Sequence, residues 1–153
     1  MNKVLVVDDD KCINKIYSEA LRKKGYEVFS AFDTKEARKI LETQDISVVI
    51  LDRQMPDENG DEFAERFDFG VAVPLMITGS DFDDEYVAEK MNKGLIFVLQ
   101  KGCSVSKIFA CVDHACRLSE MKRINKNLIE KTEEIIRGLR EAEDFLKQTV
   151  QGD

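Results

Sequence analysis

VVILDRQMPDENG, residues 48–60, decides the fold. Val48-Val49-Ile50-Leu51 is an unbroken apolar run dominated by β-branched residues, the pattern of a short strand buried on both faces of a parallel sheet. The run ends abruptly at Asp52, and Pro56 and Asn59-Gly60 mark the loop that follows. A carboxylate at the carboxyl end of such a strand stands where open α/β sheets hold ligands. A second run, Val4-Leu5-Val6-Val7, ends in Asp8-Asp9-Asp10. If the two strands are neighbours, several carboxylates meet in one crevice, and a cluster of that kind repels itself unless a cation offsets it. A hard divalent ion bound through oxygen suits it, Mg²⁺ above all.

Outward from these two runs, strand-like and helical patterns alternate. Strands are expected over Lys3–Asp8, Tyr26–Ala31, Ile46–Asp52, Val71–Thr78 and Leu95–Leu99. Between them fall helical patterns. Lys11–Lys24 has Ile13, Ile16, Ala20 and Leu21 inward and is stopped by Gly25. A second helix is capped by Asp33 or Thr34, with Ala37, Ile40 and Leu41 inward. A third contains Phe63, Ala64 and Phe67, a fourth covers Asp81–Asn92, and a fifth is capped by Ser104, with Ile108, Phe109, Val112 and Leu118 on one side. The alternating character of the second strand marks it as an edge. Pro74 is tolerable only at a strand start or a bulge. Five βα units with right-handed crossovers give an α/β fold with a doubly wound, five-stranded parallel sheet. The flavodoxin-like order 2-1-3-4-5 makes the first and third strands neighbours.

The reading divides the chain at residue 117, with a helical coiled-coil extension or linker over 118–153. From Leu118 the chain takes a 3,4 spacing: Leu118, Met121, Asn125, Leu128, Thr132, Ile135, Leu139, Ala142, Leu146, Thr149. Seven of the ten are apolar, so the fifth helix is expected to extend into a parallel two-stranded coiled coil and make the protein a homodimer. Asn125, at an a position, would fix register. The other reading of this segment is a helix packed on a further domain of the same chain.

Composition narrows the function classes. The net charge of −7, with no basic stripe, argues against unaided nucleic-acid binding. The apolar stretch of MNKVLVV is too short for a signal peptide, and no run approaches transmembrane length, so a cytoplasmic protein without a membrane anchor is expected. Cys12, Cys103, Cys111 and Cys116 lack CxxC spacing and read as reduced thiols. Cys103, Cys111 and His114 read better as helix positions than as zinc ligands.

Thr78 ends the fourth strand and Lys101 follows the fifth. Acids, a hydroxyl and an ammonium thus arrive at one edge of one sheet. They suit phosphoryl transfer to a carboxylate. Asp52 would attack phosphorus in line, metal held by the acidic pair would neutralise the transferring oxygens, and Lys101 and Thr78 would bind the remaining ones. The product, an acyl phosphate, would act as a switch rather than as a step in turnover of an external substrate.

The motifs VLVVDDD at 4–10, LDRQMPDENG at 51–60, LMITGS at 75–80 and GLIFVLQK at 94–101 resemble the receiver domain of two-component response regulators. The resemblance covers residues 1 to 117. It implies phosphorylation of Asp52 by a histidine kinase or phosphotransfer protein. It further implies Mg²⁺ ligation by Asp9, Asp52 and the Gln54 main-chain carbonyl with Asp8 as the other member of the acidic pair, and phosphate contacts from Thr78 and Lys101. It gives Asp10 no role, and a solvated loop acid is expected there. Two positions depart from the family pattern. Gly102 stands where the family usually has proline, and Val98 stands in place of its switch aromatic, with Phe97 on the opposite face of the strand. Output is therefore expected to run through the fifth helix and the extension. Two competing readings are a haloacid-dehalogenase-like phosphatase, with Asp8 and Asp10 as nucleophile and acid, and a receiver fold that only dimerises.

Overall fold

The computed structural model describes residues 1–79, 81–94 and 97–152. Elements alternate along the chain as β1 (Lys3–Val7), α1 (Lys11–Lys24), β2 (Glu27–Ala31), α2 (Thr34–Thr43), β3 (Val48–Asp52), α3 (Gly60–Arg66), β4 (Val73–Thr78), α4 (Asp84–Asn92), β5 (Phe97–Gln100) and α5 (Val105–Gln151). The five strands form one parallel sheet in the order β2-β1-β3-β4-β5. β3 and β4 are buried at every position, as continuous apolar runs in a sheet covered on both faces must be. Alternate residues feed two cores. Val4, Val6, Val48 and Ile50 pack with Leu21, Ile108 and Val112 on one face, while Leu5, Val7, Val49 and Leu51 pack with Ala37 and Phe63 on the other.

Several boundaries differ from the sequence reading. α4 begins at Asp84 rather than Asp81, because Asp83 is extended and its carboxylate accepts the Tyr86 N–H at 2.8 Å. β4 begins at Val73, since Ala72 closes a turn by donating to the Phe69 carbonyl, and Pro74 is the second residue of that strand. Leu95 and Ile96, read as the start of the fifth strand, and Ser80 of the LMITGS motif lie outside the described residues. α1 turns Leu21 and Ile13 toward the core as expected, but its inward stripe is shifted away from Ile16. Ile16 is 59% exposed, whereas Asn14, Tyr17, Ser18 and Leu21 are buried.

The chain divides into two compact units, Met1–Glu120 and Met121–Asp153. Leu118 still packs on the first core and Ser119 is buried, so the first unit runs past residue 117. The second unit is the C-terminal part of α5. Met121, Leu128, Ile135, Leu139 and Leu146 of the expected seam are all exposed there. Ile124, Ile129, Ile136, Phe145 and Val150 beside it are exposed as well. No helix among the described residues is long and apolar enough to cross a membrane.

Candidate functional site at the carboxyl edge of the sheet

β1 and β3 pair with Val7 opposite Leu51, so the residues that follow, Asp8 and Asp52, emerge side by side. The carboxylate oxygens of Asp8, Asp9 and Asp52 lie within 4.8 Å of one another. They are the one such group of potential metal ligands among the described residues, so Cys103, Cys111 and His114 do not assemble into a site. Asp8 and Asp52 are buried and Asp9 is exposed.

Lys101 follows β5, its N–H donating to the Thr78 carbonyl at 2.8 Å. Its ammonium reaches 3.1 Å from Asp8 Oδ2 and 3.1 Å from Asp52 Oδ1. The Lys101 stem passes beside Gly79, where an added Cβ would make an ordinary contact with Lys101 Cδ at 3.6 Å. Thr78 is fully buried at the end of β4, and Asp52 pairs with the adjacent Ile77. The Gln54 N–H donates to Asp52 Oδ1 at 3.3 Å, folding the β3–α3 loop back over the carboxylate. Gly60 opens α3 so close to this point that a Cβ would sit 2.2 Å from the Asp52 carbonyl oxygen.

Burial and then the Asp8 charge push the Asp52 carboxyl up to about 6, against the opposing pull of Lys101. For Lys101, burial favours the neutral amine, but the two carboxylates outweigh it and hold the ammonium above its ordinary range. The crevice is therefore short of positive charge even with Lys101 inside it. Three hard oxygen donors close together fit a divalent cation such as Mg²⁺.

The sequence reading missed several supporting residues. Asp10 is exposed but is not a free loop acid. Its Oδ1 accepts the Cys12 and Ile13 N–H groups at 2.9 and 3.1 Å and caps α1. The signal was present as an acid directly before the helical pattern. Asn14 Nδ2 donates to the Asp8 and Ala31 carbonyls at 3.1 and 2.9 Å, which ties the ends of β1 and β2 together beneath the site. The Asp10 N–H fixes Asp8 Oδ1 at 2.9 Å. Next to Asp52, Arg53 pairs with Asp61 at 2.9 Å and lies 4.2 Å over the Tyr86 ring, while the Tyr86 hydroxyl donates to Asp61 at 2.6 Å. This cluster joins the start of α3 to α4.

At the two departures, Gly102 has φ +86°, a left-handed conformation closed to proline, whose ring fixes φ near about −65°. Val98 packs into one core and Phe97 into the other, so the phenyl ring cannot substitute for an aromatic at position 98. Phe97 instead meets the His114 ring edge-on.

Residues 4–113 match the family described as the response regulator receiver domain. The transcriptional regulatory protein CrdR of Helicobacter pylori is 29% identical over 110 residues, which are 71% of this chain and 52% of that protein. The chain thus spans about half the length of this curated relative. The beryllofluoride-activated NtrC4 receiver domain dimer superposes with a TM-score of 0.71 at 30% identity, covering 78% of this chain and 99% of that one. Vibrio cholerae chemotaxis protein CheY4 gives 0.68 at 28% identity, over 75% and 98%. A CheY-like receiver domain protein from Methanospirillum hungatei JF-1 gives 0.71 over 80% and 98%, and at 22% identity it speaks to the fold alone.

Proposed function

The chain belongs to the response regulator receiver family, and on that premise we propose that Asp52 accepts a phosphoryl group from a histidine kinase or phosphotransfer protein. The observation that carries this reading is the convergence of the ends of β1, β3, β4 and β5, with Lys101 bridging Asp8 and Asp52 at 3.1 Å each. Asp8, Asp9, Asp52 and the Gln54 main-chain carbonyl would hold Mg²⁺. When bound, the metal neutralises charge on the transferring oxygens. The residues of the chain do the rest. Asp52 is the nucleophile, competent once ionised. Lys101 exchanges its two carboxylates for phosphoryl oxygens, and Thr78 donates its hydroxyl to another. The dianionic product replaces a single carboxylate charge. The Arg53–Asp61–Tyr86 cluster, starting at the next residue, is placed to feel the change. Receiver domains are in general not enzymes acting on external substrates, and this site fits that role. The phosphatase reading needs Asp10 as an acid beside Asp8, but the Asp10 carboxylate is engaged as the α1 cap.

Incubation with acetyl phosphate and Mg²⁺ is expected to add one phosphoryl mass, and EDTA is expected to prevent it. No mass gain under either condition leaves the fold a dimerisation module.

The exposed apolar stripe of the second unit supports self-association through the C-terminal helix. The acidic balance, −7 overall, supports partners other than nucleic acid. The parent is expected to be dimeric at tens of micromolar, and Leu128→Lys, which puts a charge into the apolar seam, monomeric. Sedimentation velocity checks both, and an unchanged mass for the variant removes the helix from the interface.

A further inference from the structure

The exposed face of the C-terminal unit specifies more than self-association, because its flanking residues distinguish one orientation of pairing from the other. The direction and register of pairing rest on the proposed homodimer, and they reverse the parallel direction expected from the seam spacing alone. In the seven-residue frame of the seam, Leu128 and Ile135 fall at d, and Leu139 and Leu146 at a. One flank, the e positions, carries Lys122, Ile129, Ile136 and Glu143. The other, the g positions, carries Ile124, Lys131, Gly138 and Phe145. The large apolar residues on both flanks are exposed: Ile129 at 57%, Ile136 at 44%, Ile124 at 52% and Phe145 at 68%.

Two parallel helices in register set each g residue against the e residue of the following heptad. Lys131 then meets Ile136 of the second copy and Gly138 meets Glu143, so neither charge finds a partner. Turned antiparallel about a point between Glu133 and Glu134, the same helix complements itself along both flanks, and Asn125 faces Ala142 of the second copy instead of a second Asn125. Leu128 packs on Leu139 of the second copy, and Met121 packs on Leu146. On the e flank Ile129 meets Ile136 and Lys122 meets Glu143. On the g flank Ile124 meets Phe145, and the Lys131 stem crosses Gly138, where a Cβ would have nothing within 4 Å.

The charge distribution points the same way. In residues 121–131, Lys122, Arg123, Lys126 and Lys131 stand against Glu130 alone, a net +3. In residues 141–151, Glu141, Glu143 and Asp144 stand against Lys147, a net −2. Parallel pairing sets each end beside its like, and antiparallel pairing sets each beside its opposite. We infer that two copies of this chain pair through residues 121–146 as antiparallel helices, with Leu128 seated against Leu139 of the second copy.

The test is a charge exchange on the full chain, with the dimer dissociation constant read by sedimentation equilibrium. Lys122→Glu alone and Glu143→Lys alone should each weaken the dimer about tenfold, since each creates two like-charge contacts per dimer. The double variant should return to within about threefold of the parent. In a parallel pair these positions stand about 30 Å apart along the axis, so the double variant would gain nothing over the singles. Oxidative cross-linking in a Cys12→Ser background gives a second readout. Leu128→Cys should join Leu139→Cys in a mixture and should not join itself. A dimeric parent with no rescue and with Leu128→Cys joined to itself overturns the antiparallel register and leaves self-association standing. A monomeric parent overturns both.

Discussion

Asp52→Asn will abolish phosphoryl uptake from acetyl phosphate, and in the metal-free protein near pH 7.5 it will melt higher than the parent. The loss follows from the removal of the nucleophile. The gain in stability follows from the shifted carboxyl. Burial, then Asp8, lift Asp52 from its ordinary 3.8 to about 6, so between those values the folded protein holds a proton that the unfolded chain has released. The stability contributed by that proton is fully present below about pH 4 and is lost as pH rises through about 6. Above that, the ionised side chain costs the fold up to about 3 kcal/mol relative to a neutral isostere, or roughly 8 °C in a domain of this size. Thermal scans in EDTA should show the advantage of Asp52→Asn widest above about pH 6 and closing toward about pH 4. An advantage that grows as the pH falls contradicts the shifted carboxyl.

Mg²⁺ will raise the melting temperature of the parent by several degrees, and Asp9→Asn will lose most of that rise. A ligand bound only by the folded state adds RT ln(1 + [L]/Kd), about 2.7 kcal/mol at a hundredfold excess over Kd. Asp9 is the exposed member of the three carboxylates, so replacing it disturbs little packing. In EDTA the variant should melt slightly higher than the parent, because one of three mutually repelling charges is gone. A variant that melts lower in EDTA yet responds normally to Mg²⁺ shows that Asp9 is not a ligand.

What was legible in the sequence follows from where chemistry sits in a parallel sheet. Asp8, Asp52, Thr78 and Lys101 each stand where an apolar run stops, and the end of a run is visible without knowledge of tertiary contacts. Connection rules left more than one doubly wound order open, and the flavodoxin-like order, which the sheet adopts, brought the four positions together. Features that depend on which way a helix faces were harder to read. Ile13 and Ile16 share helical spacing with Asn14, Tyr17 and Leu21, and hydrophobicity alone favours Ile16. The stripe that turns inward is the one whose Asn14 satisfies carbonyls at the strand ends, which no apolar count registers. Asp81, Asp83 and Asp84 can each cap a helix, and only the backbone selects Asp83. The Arg53–Asp61–Tyr86 cluster joins residues from three segments and leaves no local signature. An a/d pattern, likewise, is blind to helix direction, and the residues that speak to direction lie beside the seam.

The central claim is that Asp52, rather than Asp8, carries the phosphoryl group. Borohydride reduction of the acetyl phosphate-treated protein converts an aspartyl acyl phosphate to homoserine, and tryptic mass mapping then locates the modified position. The account predicts homoserine in place of Asp52, within the peptide running from Ile40 to Arg53. Homoserine in place of Asp8, or a phosphoryl group that survives reduction on a hydroxyl, would contradict it.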